Sequence, residues 1–179
     1  MSDCCAVKAG TNNANIQPAA IAPAACPGCR AVGRKVEHRT MLQMLKPARF
    51  ERLGDREFHF CGVPSCQIIY YSTDGRVAFV ADDLRIKVGL KMQGDPSATV
   101  CYCFGYTEGE IADELRATGR TEIPQKITGL TKTSMCACEV RNPAGACCLG
   151  QVNKVVKRLS EEYSRAATEL TAAPAHDCC

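Results

Sequence analysis

Short alternating runs occupy the first half of the chain, and helical spacing occupies the second. EFHF at 57–60, QIIYY at 67–71 and RVAFV at 76–80 set apolar residues in brief stretches between polar turns, which predicts strands. Ser72-Thr73-Asp74-Gly75 separates the last two, and an Asp-Gly step favours a tight hairpin turn. LRIKVGL at 84–90 alternates and predicts a further strand. Thr40–Leu45 (TMLQML) predicts a helix that Pro47 ends. Gly94-Asp95-Pro96-Ser97 reads as a linker. Beyond it, Thr107 and Glu110 have capping-box spacing, Ile111 and Leu115 follow four apart, and Gly119 stops that helix. Another short helix starts near Pro124, a residue suited to a first helical position. Val152, Val155, Val156, Leu159, Tyr163, Ala166 and Leu170 recur at helical spacing and predict a helix packed on the domain, ended by Pro174.

The pattern predicts an α+β chain. A small β-rich module spans 26–97, and a small helical domain with a C-terminal helix spans 98–173. Residues 1–25, rich in Ala, Asn and Pro beyond their first few positions, read as a flexible leader, and 174–179 as a tail. Tryptophan is absent, with only five phenylalanines and five tyrosines, which argues against a large aromatic core. Small modules with such cores need other staples. A net charge of +3 gives little electrostatic basis for nucleic-acid binding, and no basic or aromatic face is evident. No run approaches the roughly 18 apolar residues of a membrane span. The start of the sequence lacks a basic region followed by an apolar one, so no secretory signal is expected.

Fourteen cysteines change this picture. They come in pairs, at 4/5, 26/29, 61/66, 101/103, 136/138, 147/148 and 178/179. In a reducing compartment, the cytoplasm being the expected one, such pairs read as metal ligands or redox thiols rather than disulfides. Cys26-Pro-Gly-Cys29 is a knuckle whose two sulfurs reach one ion while backbone N–H groups face them. Cys61-Gly-Val-Pro-Ser-Cys66 is a second, wider knuckle between two predicted strands. Four thiolates make a closed tetrahedral zinc site with no position left for water, so the expected role is structural. His59 and His38 read as strand or surface side chains rather than ligands.

Cys101 and Cys103 place two thiolates on one side of an extended segment, just ahead of a capped helix whose N-terminus favours their charge. Four thiolates are the usual holding for a [2Fe-2S] cluster. The stretch SMCACEVRNPAGACCLG at 134–150 offers Cys136, Cys138, Cys147 and Cys148 for the other two. Adjacent residues at a helix start point about 100° apart, so at most one of Cys147 and Cys148 faces the iron.

Cys-x-Cys followed after thirty-odd residues by two more cysteines ahead of a helix resembles the bacterioferritin-associated ferredoxin domain, a small helical [2Fe-2S] fold. CPGC, FHFCGVPSCQIIYY, VCYCFGYT and CEVRNPAGACCLG, taken in order over about residues 26–155, resemble the N-terminal region of CopZ-type iron–sulfur copper chaperones. The resemblance implies zinc on Cys26, Cys29, Cys61 and Cys66. It implies a cluster on Cys101, Cys103, Cys138 (the cysteine four before the Asn-Pro of NPAG) and one of the Cys147–Cys148 pair. Cys148 is the favoured member and Cys147 the alternative, while Cys136 is a spare thiol or a competing third ligand.

By the same resemblance, the expected function is cytoplasmic trafficking of copper or a comparable thiophilic ion, with delivery to a heavy-metal P-type ATPase or other metal-resistance protein. Soft thiolates select Cu(I). The separate heavy-metal-associated domain with a Met-x-Cys-x-x-Cys loop, present in full-length chaperones of this type, has no counterpart after residue 155. Vicinal pairs stand at both ends instead, Cys4-Cys5 and Cys178-Cys179, placed like the mobile C-terminal cysteines of mercuric reductases; they are candidates to capture and pass Cu(I) or Hg(II). The alternative is a [2Fe-2S] electron-transfer or cluster-handling protein, served by an electron donor and carrying no cargo metal. No nucleophile–base pair, phosphate loop or paired-carboxylate site is present, so no enzyme is expected beyond metal reduction by the cluster.

Overall fold

The computed structural model describes residues 25–172. All of the expected leader but Ala25 lies outside the described residues, as do Pro174, the tail, and Cys4, Cys5, Cys178 and Cys179. The fold is α+β, a small sheet module followed by several helices. Strands β1 (Arg34–Val36), β2 (Phe58–Phe60), β3 (Ile68–Ser72) and β4 (Ala78–Val80) form an antiparallel sheet in sequence order. His59 lies opposite Tyr71 and Phe60 opposite Tyr70, so the two faces of the sheet receive different residues. Phe58, Phe60, Tyr70 and Phe79 pack with Met41 and Met44 of α1 (His38–Met44). Tyr71 belongs instead to a small cluster with Cys26 and Cys61. Gly75, at φ 69°, forms the left-handed corner of the β3–β4 turn that Asp74-Gly75 predicts.

Two expectations for this half fail. The scarcity of aromatics argued against a large aromatic core, yet Phe58, Phe60, Tyr70, Tyr71 and Phe79, five of the ten phenylalanine and tyrosine rings, are all buried in one sheet. The fold concentrates its few large rings rather than diluting them, and each buried ring contributes about 1.5–3 kcal/mol. Residues 84–90 do not form a strand. Leu84 and Val88 are buried in the same core, but the backbone finds no sheet edge, only an isolated bridge to Leu45. Arg85 N donates to Met44 O and Lys46 N to Asp83 O, which ties the segment to the end of α1.

The second half opens with a hairpin of β5 (Thr99–Cys101) and β6 (Tyr106–Thr107), which leads directly into α2 (Glu108–Thr118). Both halves of the predicted capping box form: Thr107 N donates to Glu110 Oε2 at 2.7 Å, and Glu110 N to Thr107 Oγ1 at 3.3 Å. Gly119 ends α2 in the left-handed region. Helices α3 (Ile123–Lys132), α4 (Cys138–Arg141) and α5 (Leu149–Ala172) follow. Ile111, Leu115, Ile123 and Ile127 pack against Val152, Val155 and Leu159 of α5, so the helical stripe faces a core. Val156 and Tyr163 flank it, Ala166 is exposed, and the side chain of Leu170 lies outside the described residues. Among the described residues, no helix is long and apolar enough to cross a membrane.

The predicted linker at 94–97 is anchored rather than free. Gly94 N donates to the buried Glu108 at 2.9 Å, and Gly109 N to Pro96 O at 2.9 Å. Glu108 also pairs with Arg158 of α5 at 2.6 Å, so the junction is held by an ion pair largely withdrawn from water. Further along, Thr40 Oγ1 donates to Glu139 O at 2.5 Å and Tyr70 Oη to Pro143 O at 2.8 Å. The loop 142–146 therefore lies on the sheet module.

Glu114 joins α2 to α3. Its carboxylate accepts from Thr121 Oγ1 at 2.6 Å, Glu122 N at 2.8 Å and Lys126 Nζ at 3.0 Å. The Thr121 hydroxyl, Lys126 and the Glu122 amide hold its pKa down to about 2. A depressed carboxylate stabilises the fold fully above the unfolded pKa near 4.5, and that contribution disappears as pH falls toward about 2. The side chain is 33% exposed, so after screening the expected effect is about 1 kcal/mol. In urea unfolding, Glu114→Gln should be less stable than wild type by a constant amount from pH 8 to about 5, with the gap narrowing only below 4.5. A gap that grows on acidification would contradict this assignment.

Candidate metal centres

Cys26 and Cys29 stand on a tight turn in which Arg30 N donates to Cys26 O at 2.8 Å and Cys26 N to Ala31 O at 2.9 Å. Gly28 sits close under the second knuckle: a Cβ there would lie 3.1 Å from Ile68 Cδ1 and 3.3 Å from Cys66 Sγ, so these side chains would have to give. The second knuckle leaves β2 at Cys61 and returns at Cys66, whose N donates to Val63 O at 3.2 Å. The four Sγ atoms lie within 4.8 Å of one another, with Cys26–Cys66 at 3.8 Å and Cys29–Cys61 at 3.6 Å. Zinc–sulfur bonds of about 2.3 Å in a tetrahedron imply sulfur–sulfur edges of about 3.8 Å, so the cage has the size of a zinc ion.

Backbone amides aim at these sulfurs, Ala31 N–H at Cys29, Val63 N–H at Cys61 and Ile68 N–H at Cys66. The Ala31 amide lowers the Cys29 pKa, whereas burial pushes Cys61 up to about 12 and raises Cys66 as well. A cation among the four sulfurs would favour the thiolates of buried Cys61 and half-buried Cys66, and metal binding would release their protons. Lys91 adds positive charge beside the second knuckle, where its Nζ donates to Val63 O at 2.6 Å. No motif pointed to this lysine, which comes from a 3₁₀ turn at Gly89–Lys91. His59 stacks on Tyr71, and His38 Nε2 lies 2.7 Å from Arg56 O.

The second set is arranged differently. Cys101 ends β5, and Cys103 lies in the hairpin turn rather than in an extended segment. Gly105 N donates to Cys101 O at 2.8 Å and closes the turn that carries Cys103. Cys138 opens α4, and Cys148 immediately precedes α5. Cys148 Sγ lies 3.1 Å from Cys101 Sγ, and Cys103 Sγ 3.7 Å from Cys138 Sγ. Among the described residues, only the first set gathers four sulfurs within 4.8 Å; this one forms two pairs.

Cys101, Cys138 and Cys148 are buried, Cys103 and Cys136 are half-buried, and Cys147 is exposed. The Cys148 thiol donates to Cys101 and brings the latter's pKa down to about 6, while the same bond and burial drive Cys148 far up. Burial raises Cys138 to about 12. The Ala137 amide points at Cys103 Sγ at 3.4 Å.

Two non-cysteine residues within the motifs shape this set. Tyr102, between the first two cysteines, accepts from Gly89 N at 2.8 Å. Asn142 accepts from Ala144 N at 3.0 Å and donates to Ala146 O at 2.6 Å, folding the loop that separates Cys138 from Cys148. Gly145, at φ 60°, lets that loop settle against Val36 and Thr40. The NPAG string marked the loop as a turn, but nothing in it indicated the sheet as its support.

Residues 23–85 match the family of CopZ-type zinc binding domains. Over 124 residues the chain is 32% identical to the copper chaperone CopZ of Archaeoglobus fulgidus, an alignment covering 69% of this chain and 57% of that protein. The chain thus spans little more than half the length of that relative. The X-ray structure of the Archaeoglobus fulgidus CopZ N-terminal domain is similar with a TM-score of 0.62 and 29% identity, over 73% of this chain and 96% of the other. Residues 23–85 thus match a CopZ-type zinc binding domain, and the chain is similar in sequence to CopZ and in fold to that protein's N-terminal domain.

Proposed function

We propose that this chain is a zinc- and iron–sulfur-containing metallochaperone for soft metal ions, copper above all. The observation that carries the reading is the contrast between the two cysteine sets: one compact cage of four sulfurs, and one pair of thiol pairs within a helical core. A single zinc ion suits the first. A two-iron group, which takes two protein ligands on each iron, suits the second. Cys26, Cys29, Cys61 and Cys66 would hold the zinc. Cys101, Cys103, Cys138 and Cys148 would hold a [2Fe-2S] cluster, with Cys136 and Cys147 outside it. When bound, that group supplies one-electron redox chemistry. The chain's own residues bury its ligands and direct the Ala137 amide at one sulfur.

Homology to a copper chaperone supports copper as the cargo and a metal-transporting P-type ATPase as the recipient. Cys4, Cys5, Cys178 and Cys179 are proposed to pass the cargo ion; all four lie outside the described residues. The protein acts in this reading as a carrier in the cytoplasm, not as an enzyme.

Anaerobic purification with metal analysis and visible absorption tests the reading. About one zinc and two irons per chain are expected; zinc without iron would remove the cluster. Serine at all four terminal cysteines should weaken Cu(I) and Hg(II) binding at one equivalent. A fully loaded protein that binds neither ion and exchanges electrons rapidly with a reductase would be an electron carrier instead.

A further inference from the structure

A cleft of about 540 Å³ opens where the zinc module meets α5, on the side of the molecule reached by Cys147. Its size falls within the range of small-molecule sites. One wall carries Val32, just ahead of β1, and Arg34, the first residue of β1. The other carries Lys154 and Arg158, one turn apart on α5. Cys147 lines the cleft as well, and the apolar part of the surface comes from residues such as Phe60 and Leu90.

The charges in this cleft are of one sign: three cationic side chains line it and no carboxylate does. Arg158 is already matched, by Glu108 at 2.6 Å and Glu162 at 3.0 Å. Arg34 and Lys154 are exposed and form no ion pair among the described residues. Two uncompensated cations lining one partly apolar cleft select a small molecule with more than one carboxylate and a net negative charge. The exposed thiol in the same cleft adds a further criterion. It is the position at which such a molecule would meet sulfur, one residue from the buried Cys148.

We propose that this cleft binds a carboxylate-bearing low-molecular-weight thiol, and receives Cu(I) from the bis-thiolate complex of that thiol at Cys147. The proposal rests on the metallochaperone reading and names the form in which its cargo arrives. The step is a ligand exchange without redox change. The Cys147 thiol forms a sulfur–copper bond, one small-molecule thiolate leaves copper, and the proton of Cys147 departs on that leaving thiol. Copper stays monovalent and two-coordinate, and the complex keeps its single negative charge. Arg34 and Lys154 hold the carboxylates of the incoming molecule.

The test uses the full chain loaded with zinc and iron, and glutathione as the probe thiol. S-methylglutathione, which keeps the carboxylates but has no free thiol, should bind at one site by calorimetry and weaken as salt is raised. Combined Arg34→Glu and Lys154→Glu should weaken it by about tenfold or more. Both side chains are exposed, and an unchanged visible spectrum and circular dichroism verify the fold. Cys147→Ser should keep that binding but slow Cu(I) uptake from the glutathione complex at least about tenfold, with uptake from a neutral-thiol complex less affected by the charge reversal.

S-methylglutathione binding that is absent, insensitive to salt, or unchanged by the double charge reversal would overturn the cleft assignment. Uptake unaffected by Cys147→Ser would overturn the transfer step. Salt- and charge-dependent binding with no Cu(I) taken up from any donor would instead count against the metallochaperone reading.

Discussion

Cys61→Ser is expected to release zinc and to open the arm formed by Ala25–Arg34 and residues 61–67, while the aromatic side of the sheet stays folded. Cys26, Cys61 and Tyr71 form a small buried cluster with little apolar area of its own. Phe58, Phe60, Tyr70 and Phe79 belong to a separate and larger core with α1. The arm therefore depends on metal, where structural zinc supplies on the order of 10 kcal/mol of apparent binding free energy, while the sheet depends on burial. Hydrogen exchange should rise by orders of magnitude at Cys26, Arg30 and Cys66, whose amides bond within the arm, and little at Phe60 and Tyr70. A strong chelator applied to wild type should reproduce the pattern. Full zinc occupancy in the variant would refute the ligand assignment, and uniform loss of protection would refute the division into arm and core.

Cys148→Ser and Cys147→Ser should differ as sharply as any two neighbouring substitutions in the chain. Cys148 is buried with its sulfur 3.1 Å from Cys101, whereas Cys147 is exposed on the adjoining cleft. Serine at 148 leaves a weaker oxygen ligand in a pocket shaped for sulfur, and a thiolate at Cys101 without its partner. Loss of most visible absorption and of about two irons per chain is expected for Cys148→Ser. Near-complete retention of both is expected for Cys147→Ser. The same comparison at 136 and 138 should favour Cys138, which is buried 3.7 Å from Cys103. Equal loss in Cys147→Ser would return that residue to the ligand set.

The sequence was most legible where local and tertiary demands agree. Thr107-Glu110 announced α2 because both halves of the capping box are satisfied within four residues, and no distant partner competes. EFHF and QIIYY read as strands because neighbours in sequence are also neighbours in the sheet. LRIKVGL misled because alternation reports which side chains are buried, not whether an edge is free to pair. Leu84 and Val88 are indeed buried, but only Leu45 is opposite.

Among the cysteines, spacing identified pairs; the structure gathers Cys26, Cys29, Cys61 and Cys66 into one group and brings Cys101 to Cys148 and Cys103 to Cys138 as two pairs. The turn that orients Cys103 was not readable, since Tyr102 and Gly89 form their bond across thirteen residues. Lys91 was invisible for the same reason: its contact with Val63 spans 28 residues. The distribution of aromatics was hidden as well, because counting rings does not show that five of them share one sheet.

The bond from Thr40 to Glu139 spans 99 residues, and the one from Tyr70 to Pro143 spans 73. Both supports are available long before the loop that uses them is synthesised. A ribosome would release the two knuckles and the whole sheet while Cys138 and Cys148 were still untranslated. Zinc can thus be captured first, and the sheet is then a finished platform on which residues 142–146 settle late, closing loops of 73 and 99 residues. Under the proposed reading, order of synthesis is also an order of metal loading: the four-cysteine cage is complete before the second cysteine set, whose loop then settles on a fixed floor.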